Sequence, residues 1–148
     1  HSMQLFVLNA DPTVGADVHF LNTGVPHAVA FLDKLEGLDI SRLGAYLRYH
    51  EAFSPKGTNA NFARILSPGH IAIRTYERGV EDETLACGTG ITACALLHAV
   101  LTDAPSPIQV DVAGGDTLKV GFQRTGDRFT DVTLTGPADL VFTGDIQI

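Results

Sequence analysis

The chain has 148 residues, 45% of them hydrophobic, which fits a single globular domain with its own core. Seventeen acidic and ten scattered basic residues give a formal net charge of −7, which disfavours a nucleic-acid-binding protein. No apolar run approaches the roughly 20 residues of a membrane span. Two cysteines without a CxxC pair disfavour structural zinc and a disulfide framework, so we expect a cytoplasmic protein.

Short strands and one helix are predicted in the first third of the chain. His1-Ser2-Met3 is interpreted as an expression remnant followed by a start methionine. Turns rich in Gly and Pro separate three predicted strands, at residues 3–9, 17–22 and 27–32. Asp39 is a predicted N-cap, and apolar residues then recur at helical spacing to about His50. This amphipathic helix is expected on the outside of the fold.

The rest of the chain is dominated by β-like segments around one apolar helix. Residues 59–66 and 70–77 flank Ser67-Pro68-Gly69 and predict a hairpin. Four further strands are predicted at residues 108–113, 117–124, 129–135 and 140–148. Many short strands with a single wholly apolar helix predict an α+β domain in which a mixed, highly curved sheet or barrel wraps around that helix.

The apolar helix begins at Ala86-Cys87-Gly88-Thr89-Gly90 and continues to Leu101. Its sequence has no wide polar face, so it is expected to be buried. A helix start directs unpaired N–H groups and the positive end of the helix dipole toward an anion, which predicts a carboxylate cradle. Cys87 stands at this start, where the same field favours thiolate over thiol. Cys94, among small apolar residues of the same helix, is interpreted as core.

Other residues are weaker candidates from their pattern alone. Glu77 and Arg78 end a strand that leads toward Cys87, but such charges are more often a solvated surface pair. Asn59 and Asn61 alternate along a strand, which predicts either two amides directed into a cleft or a merely polar strand start. His27 beside a turn could carry protons or be simply exposed. Dispersed histidines disfavour a metal site, and no lysine is well placed for a Schiff base.

Three ordered motifs resemble the second half of the diaminopimelate epimerases. They are Gly24-Val25-Pro26-His27, Gly57-Thr58-Asn59-Ala60-Asn61-Phe62, and Glu77-Arg78-Gly79 followed by the segment from Glu83 to Gly90. The resemblance implies a cofactor-independent epimerase, an isomerase of lysine and cell-wall synthesis that interconverts LL- and meso-diaminopimelate in the bacterial cytoplasm. It also implies the fold that the strands and the apolar helix predict independently.

The resemblance implies a role for each site residue. Cys87 corresponds to one of two catalytic thiols, and Gly88 and Thr89 to the holders of a substrate carboxylate. His27 and Glu77 correspond to groups that tune the thiols. Asn59, Glu77 and Arg78 correspond to substrate contacts.

The chain also departs from the family pattern. Val25 stands where the family often has Asn, and the segment from Glu77 to Cys87 is one residue longer than its commonest form. Phe142 stands where the family has a tyrosine linked to dimer contacts, while a homodimer of the full-length enzyme remains an expectation.

The resemblance covers one half of a two-half enzyme. Inversion at a carbon centre requires one group to remove a proton and another to deliver one on the opposite face. Cys94 lies two turns along the same buried helix, so the second thiol is expected from an N-terminal half that this chain lacks. The isolated domain is therefore expected to fold but to be inactive. Two alternatives remain open: a related two-cysteine amino-acid racemase of the proline racemase type, and a non-catalytic module that binds small carboxylates.

Overall fold

The computed structural model describes residues 4–6 as backbone and residues 16–148 in full. The strands are β1 (Gln4–Phe6), β2 (Val18–Asn22), β3 (Pro26–Phe31), β4 (Asn59–Ser67), β5 (His70–Glu77), β6 (Asp82–Thr84), β7 (Ile108–Asp111), β8 (Thr117–Thr125) and β9 (Arg128–Thr135). The helices are α1 (Ile40–Arg48) and α2 (Gly88–Thr102), with one 3₁₀ turn at Glu51–Phe53. None of the described helices is long and apolar enough to cross a membrane.

All nine strands form one mixed sheet. Its order is β1-β2-β3-β4-β5-β7-β8-β9, and β6 pairs with the end of β5. Neighbours are antiparallel except for the parallel pairs β3–β4 and β5–β7. Strands β2, β3, β4, β5, β7 and β8 all contact α2, so the sheet curves around this helix. The predicted α+β architecture is thereby confirmed.

Two apolar clusters hold the layers together, one on each face of the sheet. Around α2, residues such as Ile91, Leu97 and Val120 are at most 1% exposed. The second cluster lies under the amphipathic helix α1, which buries Ile40, Leu43 and Leu47. Asp39 caps α1, because its side chain accepts a hydrogen bond from the Arg42 N–H, as predicted.

Helix α1 approaches the sheet at a glycine. A Cβ on Gly44 would overlap the side chain of Tyr76, which is only 5% exposed. Any larger residue would therefore push the helix off strand β5. Gly44 fixes the distance between α1 and the strand that ends at Glu77.

The predicted strand at residues 140–148 is wrong. Strand β9 ends at Thr135, Gly136-Pro137 follows, and no regular structure is formed from residue 136 to residue 148. Proline has no N–H for a ladder, and the segment beyond it meets no strand edge among the described residues. Leu140, Phe142 and Ile146 are each more than 80% exposed. The other predicted strands are present, and their ends differ from the prediction by a few residues. For the strand predicted at residues 3–9, only Gln4–Phe6 lies within the described residues. Of the predicted turns that separate these strands, the first, at Asp11-Pro12-Thr13, lies outside the described residues.

Candidate active site

Cys87 occupies the residue before the first turn of α2. Its backbone is extended, with φ −134° and ψ 110°, and its carbonyl accepts a hydrogen bond from the Ile91 N–H at 2.8 Å. No side chain caps the helix, and the N–H groups of the first helical residues have no partner within an α-helix. The thiol is half-buried, whereas Gly88 beside it is exposed. A half-exposed sulfur thus lies at the positive end of a buried helix, where an anion such as a carboxylate is stabilised.

A chain of hydrogen bonds links this sulfur to the interior of the sheet. Cys87 Sγ lies 3.5 Å from Thr89 Oγ1, and Thr89 Oγ1 lies 2.8 Å from Nε2 of His27. Nδ1 of His27 lies 3.0 Å from Nδ2 of Asn61. His27 and Asn61 are both 0% exposed, so these contacts are shielded from water. Strands β3 and β4 and the start of α2 therefore meet at one buried polar cluster.

The buried amide fixes the direction of these hydrogen bonds. Nδ2 of Asn61 also donates to the carbonyl of Ala28, and its Oδ1 accepts from the hydroxyl of Thr75, so the amide can be oriented in only one way. Nδ2 consequently donates to Nδ1 of His27, which carries no proton there. The proton of the neutral ring is then on Nε2, and Nε2–H donates to Thr89 Oγ1. The Thr89 hydroxyl in turn has its own proton available for Cys87 Sγ.

His27 is held in its neutral form. Burial, assisted by the positive charge of Arg78, lowers its pKa from 6.5 to about 4. The helix reaches His27 and Asn61 at Gly90, where a Cβ would lie 2.7 Å from Asn61 Oδ1 and 3.1 Å from His27 Cε1. A glycine at this position lets the first turn of α2 lie directly on the buried pair.

Asn59 connects the residue that follows strand β5 to the first residue of β3. Its Oδ1 accepts from the backbone N–H of Arg78 at 2.8 Å, and its Nδ2 donates to the carbonyl of Pro26 at 3.0 Å. The Arg78 guanidinium donates to the carbonyls of Lys56 and Gly57 at 3.1 and 3.4 Å. Arg78 is therefore a fixed, half-buried residue rather than a solvated surface charge.

The structure brings most of the predicted site residues into two connected groups. Cys87, Thr89 and His27 form one hydrogen-bonded chain, and Asn59 and Arg78 form the other. The Glu77 side chain is half-buried and accepts no hydrogen bond from the residues that the structure describes.

Cys94 is confirmed as core. Its side chain is 0% exposed, and burial raises the pKa of its thiol well above the usual range.

Sequence reasoning left the two asparagines ambiguous and gave Thr75 no role. Both amides are buried and hydrogen-bonded within the protein, so they are not a solvated strand start. Their alternation along β4 was the available signal, but their partners lie on other strands.

The site is open on one side. A groove of about 510 Å³ lies beside α2 between strands β2 and β9, and Cys87 is not among its lining residues. Leu85 and Leu134 flank the start of α2 with exposed fractions of 72% and 41%. The start of α2 therefore has apolar margins. In residues 4–6 and 16–148 no three His, Cys, Asp or Glu side chains form a cluster that could hold a metal ion.

Comparison with known proteins identifies the relatives of this chain. The family model of diaminopimelate epimerase matches residues 19–141. The chain is 45% identical over 131 residues to the diaminopimelate epimerase of Chlorobaculum tepidum, covering 88% of this chain and 50% of the relative. It is 47% identical over 124 residues to that of Flavobacterium psychrophilum, covering 83% and 48%.

Among solved structures, a probable proline racemase from Agrobacterium radiobacter K84 aligns with a TM-score of 0.53 at 18% identity. The alignment covers 86% of this chain and 45% of that protein, and at this identity it shows a shared fold alone. The chain spans about half the length of the curated relatives it matches. The family model matches most of the residues of the chain, and the relatives are 45% and 47% identical to it. The chain therefore belongs to the diaminopimelate epimerase family.

Proposed function

We propose that this chain supplies one half of the active site of a cofactor-independent epimerase that converts LL-diaminopimelate to meso-diaminopimelate. One observation carries the proposal: in a member of this family, the Cys87 sulfur lies half-exposed at the start of a buried helix and within reach of the Thr89 hydroxyl. The names of the curated relatives indicate the substrate, diaminopimelate.

The proposed chemistry is proton transfer at the α-carbon by two thiols. In one direction the Cys87 thiolate accepts the α-proton to form S–H, and the C–H electron pair remains on the substrate as a carbanion. A second thiol on the opposite face then gives its proton to that carbon, which inverts the centre. In the other direction Cys87 begins as the thiol and acts as the acid. Each turnover therefore leaves the two sulfurs with their protonation states exchanged.

The helix start is suited to the charge that this reaction develops. The N–H groups of Gly88 and Thr89 would bind the substrate carboxylate, and the dipole of α2 would stabilise both the carboxylate and the carbanion beside it. The Thr89 hydroxyl, receiving a hydrogen bond from neutral His27, would donate to the thiolate form of Cys87. His27 thereby modulates the thiol through Thr89.

Asn59, Glu77 and Arg78 are proposed to bind the polar groups of diaminopimelate. Asn59 holds the backbone of Arg78, so the two residues move as one unit. Glu77 immediately precedes Arg78, and its carboxylate is not taken up by the described residues. Glu77 is therefore available to an amino group of the substrate or to the second thiol.

The second thiol is proposed to belong to another half of the enzyme, which would cover the start of α2. The exposed segment at residues 140–148 supports such a partner, because its even-numbered positions are Leu, Phe, Gly, Ile and Ile while most odd ones are polar. Such alternation is typical of a strand with one buried face, and no surface within the described residues buries it. This chain alone would then be inactive. The full-length enzyme is proposed to act in the cytoplasm, and a homodimer is a further possibility for it.

The test compares the full-length enzyme with this chain alone. We expect the full-length enzyme to convert LL- to meso-diaminopimelate and not to racemise proline, and this chain alone to do neither. Racemisation of proline without epimerisation of diaminopimelate would support the racemase alternative. Tight calorimetric binding of diaminopimelate by this chain, with no turnover by the full-length enzyme, would instead indicate a carboxylate-binding module.

A further inference from the structure

The turn that follows strand β5 carries Glu77 and Arg78, and it is closed by unusual backbone geometry. The Glu77 carbonyl accepts hydrogen bonds from the N–H groups of Val80 and Glu81, at 3.2 and 2.8 Å. Gly79 has φ +98° and Glu81 has φ +60°. For a non-glycine residue the left-handed region is sterically strained, because Cβ approaches the following carbonyl oxygen. Side-chain contacts must therefore compensate for this conformation at Glu81.

The Glu81 carboxylate makes those contacts. Oε1 accepts from the N–H of Gly79 at 2.8 Å and from Nε of Arg48 at 3.0 Å. Oε2 accepts from the hydroxyls of Tyr49 at 2.8 Å and Tyr76 at 3.4 Å. These contacts lower the pKa of Glu81 to about 2. The hydrogen bond from the Gly79 N–H has the largest effect, and those from Tyr49 and Arg48 add to it. The charged carboxylate thus ties its own turn to helix α1 and to strand β5.

The same contacts lead to the Arg78 side chain through Arg48. Held by Glu81 at its Nε, Arg48 donates from a terminal nitrogen to the carbonyl of Lys56 at 3.4 Å. That carbonyl also accepts from the guanidinium of Arg78 at 3.1 Å. The Arg48 carbonyl accepts from the N–H of Thr58, which fixes the loop from its other side. Glu81 therefore acts on Arg78 twice, through the turn backbone and through the loop that receives its guanidinium.

We propose that Glu81 is a positioning residue, which sets the orientation of Glu77 and Arg78 toward the substrate by joining their turn to Arg48 and Tyr49 at the end of helix α1. This inference rests on the proposed function, in which Glu77 and Arg78 bind diaminopimelate. Because those two residues bind the substrate rather than transfer its proton, loss of Glu81 is expected to weaken substrate binding more than it slows turnover.

The test is steady-state kinetics of the full-length enzyme with LL-diaminopimelate. Glu81→Ala is expected to raise KM about tenfold and to change kcat by less than about threefold. Glu81→Gln is expected to restore KM to within about threefold, since its carbonyl still accepts from Gly79 and Arg48 and its NH₂ can donate to a tyrosine oxygen. The matched control is Glu36→Ala, which removes an exposed ion pair with Arg64 and is expected to leave both constants unchanged.

A purely structural role would give a different pattern. A lowered melting temperature with wild-type KM in Glu81→Ala would overturn the proposal, as would equal KM values for the Ala and Gln variants.

Amide hydrogen exchange tests the proposal without depending on enzyme activity. The Arg78 N–H, bonded to Asn59, is expected to exchange at least about tenfold faster in Glu81→Ala than in Glu36→Ala. An unchanged exchange rate of the Arg78 N–H would overturn the positioning role, whether or not the full-length enzyme is active. Absence of epimerase activity in the full-length enzyme would refute the proposed function alone.

Discussion

Replacing Gly90 by alanine tests whether helix α2 lies directly on the buried Asn61–His27 pair. In an ordinary helix this change stabilises the fold by up to about 1 kcal/mol, because alanine is the better helix former. Here the new Cβ would lie 2.7 Å from Asn61 Oδ1, and Asn61 is 0% exposed and cannot turn away into solvent. The contact must be relieved by a shift of the helix or of the amide.

The magnitude follows from two costs. Inserting a methyl group into a well-packed site costs about 1–3 kcal/mol. Displacing Asn61 weakens its hydrogen bonds to His27, Ala28 and Thr75, each worth about 1 kcal/mol when buried. After the gain in helix propensity, we expect Gly90→Ala to lower the free energy of unfolding by about 1–3 kcal/mol.

Urea unfolding followed by circular dichroism measures this difference. Gly88→Ala is the matched control in the same helix turn, because its Cβ would meet only the end of the exposed Leu134 side chain, at 3.3 Å. We expect the control to be as stable as the wild type or up to about 1 kcal/mol more stable, because it keeps the gain in helix propensity without the contact at Asn61. If Gly90→Ala were as stable as Gly88→Ala, the close packing of α2 on the buried pair would be refuted.

Three further predictions concern the thiols, the buried histidine and the exposed segment. Iodoacetamide is expected to alkylate Cys87 and to leave Cys94 unmodified in the folded chain, as read by peptide mass spectrometry; equal labelling would contradict the assigned burial. The pKa of His27 is lower in the folded state, about 4, than its usual 6.5, so the unfolded chain binds more protons between these values and stability falls as pH drops through this range. His27→Gln is expected to reduce this pH dependence by up to about 1.4 kcal/mol per pH unit, as measured by urea unfolding at pH 5 and pH 7. If the unfolding free energy of the variant changed between these two pH values as much as that of the wild type, a neutral His27 would be refuted. Deleting residues 140–148 is expected to change the unfolding free energy of this chain by less than about 0.5 kcal/mol, because the segment is exposed; a larger loss would show that it packs on the domain.

The fold was largely predictable because its signals are local. The run from Ile91 to Leu101 has no polar face, so burial of this helix inside the sheet followed from its sequence alone. The segment at residues 140–148 has the same kind of strand pattern as β9, but a strand also requires a neighbour, and the pattern cannot tell whether the neighbour lies in this chain. Alternation therefore predicted a strand that this domain does not form.

The sequence pattern singled out residues for the candidate site but not the hydrogen bonds between them. Cys87 and its helix start could be read from the sequence, whereas the pairing of His27 with Asn61 depends on the parallel alignment of β3 and β4 across more than 25 intervening residues. Glu81 gave no signal, since its partners Arg48 and Tyr49 lie at the end of helix α1, more than 30 residues earlier. Contacts between distant segments are set by the tertiary fold, which local pattern does not encode.

The most direct test of the central claim is exchange of the substrate α-hydrogen with deuterated water, catalysed by the full-length enzyme and followed by NMR or mass spectrometry. Cys87→Ser is expected to lose exchange and inversion by at least about a hundredfold, because a serine hydroxyl is not ionised near neutral pH. Cys94→Ser is expected to retain both in whatever fraction of the protein remains folded. Wild-type exchange and inversion in Cys87→Ser would contradict the assignment of Cys87 as the thiol that moves the proton.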